Sequence, residues 1–146
     1  MSHSLCRVWL HIVFSTLNKD ELIDESFEKD LYSQIKNKLF EEHKIYVKEV
    51  NGISNHIHIL LLLKSTMTIQ DVVKYMKGYT SNWINVNKLS KEYFSWRVGY
   101  GAFSVSEYNV EKVSNYIKNQ KEHHKEISFE QECEELDNLN NYPKKK

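Results

Sequence analysis

The sequence predicts an α+β fold of the ferredoxin-like or RRM-like kind, with helices packed on one antiparallel sheet and a further helix near the end of the chain. Three observations support this. Short apolar stretches with strand-like alternation flank two longer stretches of helical periodicity. Two of the strand candidates are adjacent in sequence. The elements follow the order β-α-β-β-α-β-β-α. At 146 residues, the chain fits one domain.

The first strand is predicted over residues 5–14, because apolar residues alternate there between two faces. Leu10 and Ile12 lie on one face, and Trp9 and His11 lie on the other. We expect His11 to be a supporting or structural histidine. The first helix is predicted from an N-cap at Asp24 to about residue 43. Its apolar stripe consists of Phe27, Leu31, Ile35 and Leu39.

Residues 45–50 predict a second strand, Asn51-Gly52 a tight turn, and residues 53–63 a third strand. The third strand contains His56 and His58, whose side chains must point to the same face because strand residues alternate. Two imidazoles about 6–7 Å apart on a stiff central strand form half of a divalent metal site. The alternative is a pair of structural histidines, and the spacing alone leaves both open.

A second helix is predicted after Thr68, which can cap it with Asp71 three residues later. Lys74 and Lys77 lie on its surface among tyrosines, a mixture suited to single-stranded nucleic acid, although tyrosines packed in the core would give the same pattern. Gly78 interrupts the helical pattern, a cost that a helix tolerates where something must approach closely.

Short strands are predicted over residues 94–98 and 102–106, on either side of a Gly-Tyr-Gly sequence. The last packed helix is predicted from about residue 109 to residue 125, with Tyr116 and Gln120 on one edge of its apolar face. Residues 127–139 predict an acidic amphipathic helix, and we expect residues 140–146 to be frayed.

Composition limits the protein classes. The two cysteines, Cys6 and Cys133, are far apart and form no Cys-x-x-Cys motif, which argues against a disulfide framework or a zinc ribbon. Without an 18-residue apolar run or a signal-peptide pattern, we expect a cytoplasmic protein. The net charge is zero, but residues 64–105 carry six basic and two acidic side chains, enough to attract a phosphate backbone. Ordinary solvated helix faces would explain the same charges.

Three motifs, taken in order, resemble the single-tyrosine HUH transposases of small insertion sequences, the IS200-like transposases. They are HIH at residues 56–58, GYGAFSVS at residues 99–106, and YIKNQ at residues 116–120 followed by EHH at residues 122–124. The resemblance extends from about residue 5 to residue 124. The chain departs from it at Asn55, where the family often has an acidic residue.

The resemblance implies a transposase that cleaves and rejoins single-stranded DNA at the ends of an insertion sequence. Tyr116 would attack a phosphodiester and form a 5′-phosphotyrosine, while His56, His58 and Gln120 would hold Mg²⁺ or Mn²⁺. It further implies a homodimer that recognises DNA hairpins, in which the tyrosine acts in its own subunit or in its partner. The transposase domain would span residues 1–125, and residues 126–146 would form an acidic extension with a basic tail. The candidates for phosphate contacts are Lys74, Lys77, Lys88 and Arg97.

Other interpretations are less well supported. A domesticated relative would nick single-stranded DNA at genomic repeat hairpins without moving an element. A non-enzymatic RNA-binding module would need aromatic side chains on the central strands, where this chain has histidines. Metallo-hydrolases with a His-x-His-x-Asp-His motif and histidine-triad hydrolases require polar residues where this chain has Leu60 and Leu61. Two-histidine phosphoesterases require a second His-x-Thr or His-x-Ser motif, which the sequence lacks.

Overall fold

The computed structural model describes residues 5–139, which contain a four-stranded antiparallel sheet in the order β2-β3-β1-β4. This order, with the connectivity β1-α1-β2-β3-α2-β4, is the ferredoxin-like arrangement and confirms the predicted α+β class. The predicted frayed segment 140–146 lies outside the described residues. The strands are β1 (Val8–Ser15), β2 (Val47–Ile53), β3 (His56–Leu63) and β4 (Gly101–Val105), and the helices are α1 (Glu28–His43), α2 (Ile69–Val86), α3 (Val110–Lys118), α4 (Gln120–His123) and α5 (Phe129–Leu139).

The central strand β3 is covered on both faces, as its apolar sequence predicts. Ile57, Ile59 and Leu61 belong to the main core with α1 and α2. Leu60 faces the other way and packs with Ile117 of α3. The two faces of β3 therefore differ in chemistry, one purely apolar and one carrying both histidines.

Helix α1 buries the predicted stripe of Phe27, Leu31, Ile35 and Leu39, each at most 3% exposed. Each such side chain contributes about 1.5–3 kcal/mol relative to its exposed state. The predicted N-cap at Asp24 is wrong, because the helix begins at Glu28. The backbone carbonyl of Asp24 instead accepts hydrogen bonds from the amides of Phe27 and Glu28, forming a turn before the helix. The prediction of a cap by Thr68 on α2 is confirmed, since its hydroxyl accepts from the Asp71 amide at 3.0 Å.

The turn between β2 and β3 lies at Ser54 and Asn55, not at Asn51-Gly52 as the sequence predicts. Gly52 lies within β2, paired with Ile57 of β3. A Cβ atom on Gly52 would lie 2.8 Å from the Ile57 Cα, so the glycine is required for the close approach of two strands and not for a turn.

Residues 94–98 do not form the predicted strand, and their one strand-like contact in the described structure is a bridge between Thr16 and Trp96. The side chain of Asn85 takes the place of a neighbouring strand, because it bonds both the amide and the carbonyl of Phe94 at 2.8 and 2.9 Å. The segment therefore packs its aromatic rings against the core, and the backbone of Phe94 is satisfied from α2. Farther along, the Ser95 carbonyl accepts from the Leu17 amide, and the Arg97 amide donates to the Ser15 carbonyl.

The last packed helix is interrupted at Asn119 and so forms α3 and α4 instead of one helix. The Asn51 amide on β2 donates to the carbonyls of Ile117 and Lys118, both at 3.0 Å, and this ends α3. The acidic helix predicted over residues 127–139 is confirmed as α5. No helix within residues 5–139 combines the length and the apolar character needed to cross a bilayer.

Candidate active site

His56 and His58 lie on the face of β3 covered by the C-terminal helices, and both side chains are fully buried. Their ring centroids are 5.1 Å apart. Because a β-strand holds both Cβ positions rigidly, the two imidazoles need little rearrangement to bind a shared partner. The predicted common orientation of the pair is confirmed.

The Nδ1 atoms of His56, His58 and His124 each face a partner. Nδ1 of His56 donates to the side-chain oxygen of Asn55 at 2.8 Å, and Nδ1 of His124 donates to the Ile127 carbonyl at 3.0 Å. Nδ1 of His58 lies 2.8 Å from Nε2 of His11 on β1. His11 therefore has the supporting position that the sequence predicts. Because these contacts occupy Nδ1, the Nε2 atoms of His56, His58 and His124 are directed into the site.

A carboxylate from α5 occupies the centre of the site. Glu132 is fully buried, and its Oε1 atom lies 3.2 Å from Nε2 of His56 and 2.8 Å from Nε2 of His58. Nε2 of His124 lies 3.0 Å from the same oxygen. Phe129, one turn earlier on α5, stacks on the His56 ring with centroids 4.1 Å apart. Helix α5 thus seals the histidine pair from solvent.

Tyr116 of α3 lies at the edge of this cluster, on the same chain as the histidines. Its hydroxyl donates to Oε2 of Glu132 and lies 3.4 Å from Nε2 of His123. Its ring centroid is 5.8 Å from that of His58. The next residue, Ile117, is fully buried against Leu60, which fixes the direction of the tyrosine. A phenolic oxygen and two imidazoles therefore meet within one subunit.

Gln120, the first residue of α4, is also fully buried and points into the site. Its amide nitrogen donates to Oε2 of Glu132 at 2.9 Å, and its oxygen lies 3.4 Å from Nε2 of His56. The break at Asn119 does not separate it from Tyr116, because both side chains reach the same carboxylate.

Burial shifts the pKa values of three side chains at the site, His56, His58 and Tyr116. It lowers the pKa of His56 to about 4 and also lowers the pKa of His58, so both imidazoles are neutral near pH 7. Burial, together with the neighbouring Glu132, raises the pKa of the Tyr116 hydroxyl. For Glu132, burial raises the pKa, whereas the hydrogen bond that the Tyr116 hydroxyl donates lowers it.

These donors suit a divalent metal ion. One ligand atom each from His56, His58, His124 and Glu132 lie within 4.8 Å of one another. Adjacent ligands of an octahedral ion with bonds of about 2.1 Å are about 3 Å apart, and the nitrogen-to-carboxylate distances here range from 2.8 to 3.2 Å. Neutral imidazoles directed by their Nδ1 partners are also the form in which histidine binds metals.

Neither His124 nor Glu132 is predicted as a site residue from the sequence. His124 belongs to the EHH motif at residues 122–124, which by itself predicts no role for it. Glu132 belongs to a segment whose acidic composition suggests a solvated helix. A signal was nevertheless present, because Glu132 follows Phe129 by three residues and therefore lies on the same helix face as an apolar side chain.

Three of the four predicted phosphate contacts line one groove. Lys74 and Lys77 of α2 face Arg97 across a groove of about 780 Å³ that also contains Tyr93 and Tyr100. The Lys77 ammonium donates to the Arg97 and Gly99 carbonyls at 2.7 and 2.6 Å, so it also holds the groove wall in place. Lys88 lies at the C-terminal end of α2 and does not line this groove.

A second cavity, of about 600 Å³, lies between the Gly99–Gly101 loop and α5. Phe103 of β4 and Phe129 of α5 contribute to its walls. Because Phe129 also stacks on His56, this cavity extends up to the side chains that cover the histidine pair.

Comparisons with known proteins relate the chain to one family. The family model described as "Transposase IS200 like" matches residues 4–120. No curated protein sequence matches significantly. Among solved structures, a candidate transposase from Deinococcus radiodurans R1 shares 18% identity, with a TM-score of 0.64 over 82% of this chain and 95% of that one. A REP-associated tyrosine transposase bound to a REP hairpin has the same TM-score at 8% identity, over 85% of this chain and 72% of that one. At these identities the two structures support the fold alone.

Proposed function

The chain belongs to the family of IS200-like transposases, and from that membership we propose that it cleaves and rejoins single-stranded DNA through a covalent bond to Tyr116. The observation that carries this proposal is the contact of the Tyr116 hydroxyl with the carboxylate that also contacts His56 and His58. A phosphate placed near the histidine pair would be within reach of the phenolic oxygen.

His56, His58 and Gln120 are the side chains we propose to hold a Mg²⁺ or Mn²⁺ ion. Such an ion, when bound, would polarise the scissile phosphate and offset the charge that develops on its oxygens. Two imidazoles and one amide oxygen leave positions for phosphate oxygens, which suits a catalytic site. The proposed site therefore supplies charge stabilisation beside a nucleophile.

In the proposed reaction, the Tyr116 oxygen forms a bond to phosphorus, and the bond from phosphorus to the 3′ oxygen breaks. The phenol loses one proton and the 3′ oxygen gains one, so the step is balanced. The products are a 5′-phosphotyrosine and a free 3′-hydroxyl, which retain the bond energy needed to rejoin another strand. Attack by a 3′-hydroxyl on the phosphotyrosine reverses the same exchange.

We propose that Tyr116 acts within its own subunit. Glu107, in the turn that precedes α3, accepts hydrogen bonds from the Arg7 guanidinium at 2.9 Å and from the Trp9 indole at 2.7 Å. These contacts fasten the start of the tyrosine helix to β1 of the same chain. We still expect a homodimer, as in the family, and measurement of the molar mass in solution tests that expectation separately.

The groove between α2 and Arg97 is the surface that we propose for the DNA. Lys74 and Arg97 are exposed cations, and Tyr93 and Tyr100 offer ring faces on which bases can stack. Lys88 lies outside the groove and would contact only DNA that extends past the end of α2. The expected ligand is a hairpin with a single-stranded flank, encountered in the cytoplasm.

A denaturing gel tests the proposal. Protein, Mn²⁺ and single-stranded DNA bearing a hairpin from the element end should give a covalent protein–DNA band. The band should vanish in Tyr116→Phe, in His56→Ala and with a chelator, while Tyr108→Phe, an exposed tyrosine in the turn before α3, should keep it. A band that survives in Tyr116→Phe would show that another residue is the nucleophile.

A second candidate is a domesticated enzyme that nicks genomic repeat hairpins without moving an element. It is favoured by the structural likeness to a transposase that was solved with a REP hairpin. Both candidates use the same chemistry. The positions of the hairpins in the source genome distinguish the two candidates. Hairpins scattered through the genome, and not paired at the ends of an element, would support the domesticated enzyme.

A further inference from the structure

The metal site proposed above contains only residues up to Gln120, yet the donor set continues into α5. His124 and Glu132 direct one ligand atom each at the same point as His56 and His58. Glu132 is fully buried and comes from the C-terminal segment that the sequence presents as an extension. A buried carboxylate is costly unless its partners compensate for the lost hydration.

The hydrogen bonds around the cluster show that two of the imidazoles near Glu132, those of His56 and His124, have no hydrogen on Nε2 to donate to its carboxylate. His56 and His124 each donate from Nδ1 to an oxygen, and an imidazole that carries its one hydrogen on Nδ1 has only a lone pair on Nε2. Both lone pairs point at Oε1 of Glu132, which is itself an acceptor, at 3.2 and 3.0 Å. Acceptors that face each other in a buried site repel unless a proton or a cation lies between them.

Added protons do not account for all the contacts between the imidazoles and the buried Glu132 carboxylate. His58 can donate to Glu132 from Nε2 as a neutral ring, because its Nδ1 atom can accept from His11. His56 and His124 could donate to the same oxygen only as cations, which would place two positive charges in one buried cluster. A single divalent ion satisfies the three nitrogens and the carboxylate together. Their spacing already matches that of adjacent ligands on one ion.

We propose that His124 and Glu132 are ligands of the metal ion, together with His56 and His58, so that α5 is part of the metal site. This inference rests on the proposed function, because it concerns the ion of that same site. Three imidazoles and one carboxylate form a nitrogen-rich set that favours a first-row transition ion over Mg²⁺. With the Gln120 oxygen as a fifth donor, one position of a six-coordinate ion remains for a phosphate oxygen.

Titration calorimetry on the full chain tests this inference without DNA or turnover. The wild type should bind Mn²⁺ more tightly than Mg²⁺. Glu132→Gln keeps the shape of the side chain but removes its charge, and His124→Asn removes a nitrogen ligand. Loss of a side chain that only supports a ligand weakens metal binding by about 10–100-fold. Each of these two substitutions should weaken Mn²⁺ binding by more than that. Glu134→Gln, an exposed position on the same helix, should bind like the wild type.

Thermal unfolding without metal serves as the folding control, because the variants must be folded before their affinities are compared. Added Mn²⁺ should raise the melting temperature of the wild type and of Glu134→Gln, but not that of Glu132→Gln. Mn²⁺ affinity in folded Glu132→Gln or His124→Asn equal to that of the wild type would overturn the inference. If the Tyr116-dependent DNA band then persisted, the proposed function would stand without it. If the wild-type protein bound Mn²⁺ through Glu132 but formed no covalent band with DNA, the proposed transposase function would be overturned. The assignment of Glu132 and His124 as metal ligands would then stand.

Discussion

Asn55 directly precedes the first histidine of the pair, and its side-chain oxygen accepts the Nδ1 hydrogen of His56 at 2.8 Å. The resemblance marked this position as a departure, because the family often has an acidic residue there. In the structure, the amide oxygen makes the contact that a carboxylate oxygen would make. It fixes the imidazole tautomer that leaves Nε2 free for the metal.

We therefore expect Asn55→Ala to weaken Mn²⁺ binding by about 10–100-fold, since the orientation of His56 would no longer be fixed. Asn55→Asp should keep the affinity or increase it, because it retains the acceptor and adds negative charge. Titration calorimetry measures both. Equal affinities for wild type and Asn55→Ala would mean that packing alone orients His56.

The histidine pair was predictable because the period of a strand is local and depends only on sequence spacing. Glu132 was not, because its position depends on how α5 folds back over the sheet after the break at Asn119. Its acidic neighbours also suggest a solvated helix, and only its spacing from Phe129 hints at burial. Residues brought together by tertiary packing leave a weaker sequence signal than residues on one element.

At the scale of elements, the close approach of β2 to β3 holds the histidine strand in register. Gly52 lies opposite Ile57, and a Cβ there would collide with the backbone of His56 and Ile57. The sequence marked Asn51-Gly52 as a turn because this pair is the usual hairpin signal. Gly52 instead allows the backbones of β2 and β3 to approach closely, and the chain turns at Ser54 and Asn55.

Gly52→Ala should lower the free energy of unfolding by about 1–3 kcal/mol, because a backbone collision cannot be relieved by a side-chain rotation. Gly78→Ala is the matched control. The close approach expected at Gly78 from the sequence is wrong, because no atom of the described structure lies within 4 Å of an added Cβ at this position on α2. Gly78→Ala should therefore stabilise the fold by up to about 1 kcal/mol. Urea unfolding of the two variants measures both values. A Gly52→Ala protein as stable as the wild type would contradict this account of the β2-β3 pair.

At the scale of the whole molecule, the chain carries no net charge but distributes its charges unevenly. The structure gathers Lys74, Lys77 and Arg97 from the basic middle of the chain around one groove. The helix and loop that form this groove are far from the acidic tail in sequence. Net charge alone would have argued against a nucleic-acid ligand, whereas the folded distribution favours one.

Replacing Lys74 and Arg97 together by glutamine should reduce the salt dependence of hairpin binding. Each lost phosphate contact lowers the slope of log K against log salt by about 0.7–0.9, so the double variant should lose about 1.5. Lys29→Gln, an exposed residue on α1 outside the groove, should leave the slope unchanged. Fluorescence anisotropy at several salt concentrations gives these slopes, and equal slopes for all three proteins would place the DNA elsewhere.

The fold class followed from the sequence because six core elements have strong local periods. The predicted extra strand over residues 94–98 failed because Asn85, a side chain on another element, satisfies the backbone of Phe94. The continuous last helix failed for a similar reason, since Asn51 on β2 bonds the carbonyls that end α3. In both places a tertiary hydrogen bond overrides the local pattern.

In the proposed reaction, Tyr116 becomes covalently joined to the 5′ phosphate of DNA. Mass spectrometry after digestion of the covalent product identifies the residue that carries the DNA. We expect the peptide containing Tyr116 to carry the added nucleotide phosphate, and we expect no adduct when a chelator is present. An adduct on a different residue, or one that forms equally well without metal, would contradict the proposed reaction.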